Sequence, residues 1–174
     1  NLLRLILLLS SVVTLCAQRN IPPLELDEIE FRTFIQESAN VLTTKDWTIL
    51  SKKAESELTS GKLQRALGYS KKAQILAERL QDKLLIARSL RHLGNCYQLL
   101  EELETASEYY EKSFQNFTAT ENSDETRIEA GYLMNDWASL YTDPYYNNEQ
   151  KELVAGLKLL YFPSFLIDHN LLLI

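Results

Sequence analysis

His92 and Cys96 stand four residues apart in the run from Ala87 to Leu100. That spacing puts both on one face of a helix, where an imidazole and a thiolate can share a metal ion. The run supplies no third or fourth ligand nearby, so Cys96 reads as a small buried residue beside a partly exposed histidine. Ser164, Asp168 and His169 have the residue types of a hydrolase triad, but no glycine-bounded elbow presents the serine as a nucleophile. Glu101 and Glu102 pair two carboxylates at a turn, where they read as a solvated cluster that opens the next helix. No glycine-rich loop able to cradle a phosphate is present. The chain is therefore expected to act without catalytic residues, cofactor or metal ion.

The elements that position these residues are helices. Leu90, Leu93, Gly94 and Tyr97 recur at helical spacing, an acidic turn follows, and Leu103, Ala106, Tyr109, Tyr110 and Ser113 mark a second helix. Gly94 and Ala106 fall where two antiparallel helices come close, since larger side chains would hold the axes apart. The same pattern occurs 40 residues earlier: Leu90, Gly94, Leu103, Ala106, Tyr109, Lys112 and Ser113 align with Leu50, Ala54, Leu63, Ala66, Tyr69, Lys72 and Ala73. Lys53 and Glu57 replace Leu93 and Tyr97, so the earlier helix is the more polar. Moving forward by 44 residues places Met134 on Leu90, Trp137-Ala138 on Leu93-Gly94 and Tyr141 on Tyr97, which predicts a third unit with a longer lead-in, capped by Ser123. A segment from Glu149 to Tyr161 is its expected second helix. Before the repeats, the stripe Leu26, Ile29, Phe31, Phe34, Ile35, Ala39 and Leu42 predicts an extra helix across 24–42. Thr43 or Thr44 caps the next, at about 46–58.

Leu90, Leu93-Gly94, Tyr97, Ala106, Tyr110 and Ser113 together resemble a tetratricopeptide repeat; Thr118 stands near the place of its usual terminal proline. The resemblance implies an all-α solenoid of about three helix pairs, at 46–82, 83–120 and 123–162, preceded by one extra helix, and a scaffold that binds a protein or peptide ligand. In such arrays the first helix of each pair lines a concave groove. The resemblance accordingly assigns to the groove Arg88, Arg91, Asn95 and Gln98 on the central repeat, and Thr48, Ser51, Glu55 and Leu58 on the first. On the third it assigns Tyr132, Asn135, Ser139 and Thr142. Arg91 and Asn95 look like part of the carboxylate clamp by which some members hold a peptide C-terminus. Matching cations on the other repeats are missing, which leaves a mildly polar groove with local positive charge at Arg88 and Arg91. Tyr97, Tyr109, Tyr110, Phe114 and Phe117 are spaced as packing between helices.

Composition agrees with this reading. The chain has 174 residues, 45% apolar and 24% charged, with five glycines and four prolines, and the prolines fall near the edges of the helical segments. A net charge of -6 and the lack of a basic face argue against nucleic acid as partner. Asn1 to Ala17 carries Arg4, an apolar run and small residues near Ala17, the three parts of a secretory signal peptide, with cleavage expected before Gln18. The run is short of the roughly 20 residues that span a bilayer, and Leu15 fits poorly before a lipidated Cys16. The expectation is export to the periplasmic or extracellular side, a linker at 18–23, the repeats at 24–162, and an unassigned tail at 163–174. Signal segment followed by repeats resembles the exported N-terminal region of bacterial signalling proteins; the other reading is a free-standing adaptor for envelope complexes. The missing N-terminal Met and the apolar Leu171 to Ile174 suggest a piece of a longer chain. Asn116-Phe117-Thr118 is a glycosylation acceptor by pattern alone.

Overall fold

A computed structural model describes residues 23–37, 42–121 and 123–140. A 3-10 turn, Pro23–Glu25, leads into α1 (Glu28–Glu37), followed by α2 (Thr44–Thr59), α3 (Leu63–Leu80), α4 (Lys83–Leu99), α5 (Leu103–Thr118) and α6 (Asp124–Ser139). The architecture is the expected all-α solenoid of tetratricopeptide type, with α2/α3 and α4/α5 as successive helical hairpins and α6 as the first helix of the next unit. The signal segment, the linker up to Pro22, the expected helix at 149–161 and the tail lie outside the described residues.

Local chemistry sets the helix ends. The Asp46 carboxylate reaches back to accept the Thr43 N–H at 2.8 Å, and the Ser123 hydroxyl accepts the Thr126 N–H at 3.1 Å, each satisfying a donor that a helix start leaves open. The expected helix at 24–42 is shorter, because Asp27 Oδ1 accepts the Glu30 N–H at 2.8 Å and fixes the start at Glu28.

The turns inside the two hairpins are the same structure 40 residues apart. Lys62 N donates to Glu57 O and Glu102 N to Tyr97 O, both at 2.9 Å, while Gly61 N donates to Leu58 O and Glu101 N to Gln98 O, both at 3.0 Å. The residue in the left-handed conformation is Gly61 in one, at φ 72°, and Glu101 in the other, at φ 63°. The repeat seen in the sequence is thus a repeat of backbone geometry.

The hairpins close through small residues. Ala66, Ala73, Ala106 and Ser113 are fully buried, and Gly94 lies under the Tyr110 ring, where a Cβ would collide with Cδ1 and Cε1. Ser113 stands where the pattern has Ala, and its hydroxyl donates to Ala87 O at 2.7 Å, so the substitution leaves no buried donor unsatisfied. Around these contacts Phe31, Leu50 and Leu76 in one cluster and Tyr110, Phe117 and Leu133 in another are fully buried. Each contributes roughly 1.5–3 kcal/mol of apolar burial.

Where the first repeat departs from the pattern, charge replaces stacking. Tyr109 stacks on Tyr97 with ring centroids 5.1 Å apart. In the first repeat the matching Tyr69 has Glu57 in place of an aromatic partner; like Tyr109, which has Lys112 over its ring at 5.4 Å, it takes the equivalent Lys72 at 4.6 Å, and it gains a second ammonium group, Lys53, at 5.3 Å. Lys53 pairs with Glu25, and Glu57 pairs with Arg65 at 2.9 Å. Lys72 is buried and donates to Leu24 O at 2.6 Å and Leu26 O at 3.0 Å, tying the N-terminal turn to α3. Burial lowers its pKa from the ordinary lysine value.

Candidate protein-binding face

Five contacts fix how α2, α4 and α6 stand side by side. Trp47 Nε1 donates to Ser89 Oγ at 2.8 Å and Ser51 Oγ lies 3.4 Å from His92 Nδ1. On the other side Arg88 Nη2 meets Glu129 Oε1 at 3.0 Å, Asn95 Nδ2 donates to Asp136 Oδ2 at 3.0 Å, and Gln98 Nε2 donates to Ser139 Oγ at 2.7 Å. Four of these pairs, Ser51 with His92, Arg88 with Glu129, Asn95 with Asp136 and Gln98 with Ser139, span 41 positions each. The step from α4 to α6 therefore equals the step from α2 to α4.

This corrects the 44-residue shift expected for the third unit. A 40-residue shift puts the buried Leu133 on Leu93 and Trp137 on Tyr97, and Met134 where the earlier repeats have Gly94 and Ala54. The two registers differ by four residues, about one helical turn, so both place the apolar stripe on the same face and the stripe could not separate them.

The face carries a charged network that the groove assignment did not contain. Arg91 reaches Glu129 Oε2 at 3.4 Å and Asp136 Oδ2 at 3.3 Å, and Arg88 reaches Glu125 Oε1 at 3.1 Å. The expected local positive charge at Arg88 and Arg91 is therefore absent: carboxylates of α6 already occupy both guanidiniums, and a ligand carboxylate clamped there would have to displace them. Asn95 and Gln98 are likewise engaged from below, by the Tyr110 hydroxyl, which lies 2.7 Å from Asn95 Oδ1 and 2.8 Å from Gln98 Oε1. Ser139, besides accepting from Gln98, donates to Asp136 O at 2.6 Å. The structure thus joins Arg88, Arg91, Asn95, Gln98 and Ser139 in one network with Glu125, Glu129 and Asp136. Ser51 is buried against His92, Glu55 and Asn135 are exposed, and Thr142 lies outside the described residues.

His92 is buried, not partly exposed. Its Nδ1 faces Ser51 and its Nε2 faces Glu55 Oε1 at 3.4 Å, while the Cys96 thiol lies 3.6 Å from Ser70 Oγ. Desolvation, aided by Arg91 and Arg88, lowers the imidazole pKa to about 3, so the ring is neutral near neutral pH. Burial also raises the Cys96 pKa, which keeps it a thiol. Among the described residues no group of three or more His, Cys, Asp and Glu side chains could hold a metal ion.

Glu129 and Asp136 were missed because at the 40-residue step they fall on Ser89 and Cys96, positions outside the groove assignment, whereas Tyr132, which that assignment contained, falls on His92. Tyr132 takes the Arg91 guanidinium over its ring at 5.3 Å.

No curated protein and no solved structure gives a match to this chain. Residues 48–119, which run from α2 to the end of α5, match the family model for the tetratricopeptide repeat, and these two hairpins are the part of the chain that is similar to that family.

Proposed function

We propose that the chain is a non-catalytic protein-interaction module that takes a protein or peptide ligand along the face formed by α2, α4 and α6. Tetratricopeptide repeats are generally protein-interaction modules, and the observation that carries the reading here is the state of that face. It is built from the first helices of successive pairs, it is cross-braced from Trp47 to Ser139, and it still exposes Glu55, Tyr132 and Asn135. A braced surface loses little conformational entropy on binding, which favours recognition.

The signal-like composition of Asn1 to Ala17 supports a further step: the module works on the exported side of an envelope, as the sensory or interaction region of a larger signalling protein. Cross-linking tests the binding reading directly. A photoreactive group installed at Asn135 should capture a protein ligand in the native host, and the same group on the outer side of α5, at Glu111, should not. Equal capture at both positions would contradict a dedicated face.

A further inference from the structure

The α2–α4–α6 face keeps its positive charge inside and its negative charge outside. The side chains of Arg88 and Arg91 are 27% and 13% exposed, held by Glu125, Glu129 and Asp136, whereas those of Glu55 and Glu125 are 59% and 64% exposed. Four carboxylates stand against two guanidiniums; the exposed Lys45 and Lys52 both stand on α2, and α6, which brings Glu125, Glu129 and Asp136 to the face and contains no lysine, is its negative side. His92 adds nothing to the positive side, being buried and neutral. The potential that an approaching chain meets is therefore negative.

Beside these acids the face offers two places for uncharged groups. A cavity of about 80 Å3 opens between α2 and α4, lined by Ala54, Leu58, Ser70 and Cys96, with Glu55 and Arg91 also in its wall. On α6, Ile128 and Tyr132 are 56% and 55% exposed, one turn apart, with Gly131 between them and open space above its Cα. Arg91 joins the two places, since its side chain lines the cavity and its guanidinium lies over Tyr132.

We infer that this face takes a basic segment of a partner protein, one that sets Lys or Arg side chains against Glu55 and Glu125 and lays an apolar side chain on Ile128 and Tyr132. An acidic segment, or a chain end held by its carboxylate, must instead pull the buried Glu129 and the part-buried Asp136 away from Arg88 and Arg91 and leave those acids without their partners. The inference rests on the reading of this face as the binding surface.

Three labelled peptides test it, sharing the same Leu and Trp positions and filled elsewhere with Lys, Glu or Gln, each titrated against the full chain by fluorescence anisotropy. The Lys peptide should bind most tightly. Glu55→Gln combined with Glu125→Gln should weaken it about fivefold or more and flatten its salt dependence, and Tyr132→Ala should weaken it further. Removing two exposed acids from α5, Glu104→Gln with Glu111→Gln, should leave binding unchanged. An equal loss in that control would reduce the effect to net charge and overturn the inference. Tighter binding of the Glu or Gln peptide, sensitive to Tyr132→Ala, would overturn the choice of a basic partner while leaving the binding face intact. Insensitivity of all three peptides to every change on the α2–α4–α6 face would remove the face itself as a binding surface, and the inference with it.

Discussion

Gly94 has no room for a side chain. A methyl there would fall inside van der Waals contact of the Tyr110 ring, and that ring is fully buried with its hydroxyl held by Asn95 and Gln98. Gly94→Ala should therefore lower stability by roughly 1–3 kcal/mol from overpacking, despite the better helix propensity of Ala. Gly68→Ala, in α3 with nothing within 4 Å of the added carbon, should raise it by about 0.5–1 kcal/mol. Urea titrations of the two variants must give opposite signs, and a neutral Gly94→Ala would contradict the close approach of α4 and α5. His92 governs acid behaviour. Its folded pKa of about 3 lies below the ordinary 6.5, so below pH 6.5 the unfolded chain binds the extra proton and stability falls as pH falls. Glu55 does not cancel this, because its carboxylate is largely in water. His92→Gln should flatten the loss between about pH 6.5 and 5, a window above the ordinary carboxylate titrations; an unchanged slope would mean that the ring is hydrated.

The helices and their joints were legible to different degrees. The stripe Leu50, Leu90, Leu93 and the small residues Ala66, Ala106 and Gly94 gave the two hairpins outright, because apolar spacing and close approach are both written in residue type. The third unit was misregistered because Trp137-Ala138 imitates Leu93-Gly94 one turn away from its place, and it is the pairs Arg88–Glu129, Asn95–Asp136 and Gln98–Ser139 that separate the two registers. The acidic cover on Arg88 and Arg91 was not visible in either register, because Glu129 and Asp136 match Ser89 and Cys96, which the groove assignment leaves out. Glu101 holds φ 63° where the matching Gly61 holds φ 72°, a conformation that costs a non-glycine residue about 1 kcal/mol. Glu101→Gly should thus stabilise the chain, by up to about 1 kcal/mol in thermal or urea unfolding, and destabilisation would show that Glu101 makes a contact worth more than its backbone strain. The N-terminal turn depends on Lys72 in a different way. Lys72→Met removes the donor to Leu24 O and Leu26 O and leaves both carbonyls unmet, at a cost of roughly 1–3 kcal/mol. Its mark should be faster amide exchange and proteolysis across residues 23–37, with α4 and α5 unaffected.

A repeat array is held together by its seams, since each unit touches only its neighbours. The two seams among the described residues are made differently. Between α2 and α4 the hydrogen bonds are buried and neutral, Trp47 on Ser89 and Ser51 on His92, and the Arg88 guanidinium meets α2 through the Trp47 ring, at 5.2 Å, not through an acid. Between α4 and α6 they are ionic, with Arg88 and Arg91 set against Glu125, Glu129 and Asp136, and Ala130, Leu133 and Trp137 supply the apolar part. Neutral contacts are insensitive to salt, whereas ion pairs with partly exposed partners are weakened once the screening length falls to about 3 Å in 1 M salt. The chain should accordingly not unfold as one unit under high salt. Amide exchange in α6 should quicken by up to about tenfold in 1 M NaCl, a change of roughly 1.4 kcal/mol in local opening, while α2 to α5 keep their protection. A uniform change across all the helices would mean that the seams are equivalent and that the apolar contacts of α6 dominate its ionic ones. Because Glu129 and Asp136 hold the same arginines that border the exposed face, loosening α6 should also alter that face. Salt that frees α6 should uncover Arg88 and Arg91, making the face less acidic under the same conditions that screen a basic ligand. Loss of α6 protection and loss of binding to a basic peptide should therefore follow one salt curve, and binding that persists after α6 has opened would place the contact on α2 and α4 alone.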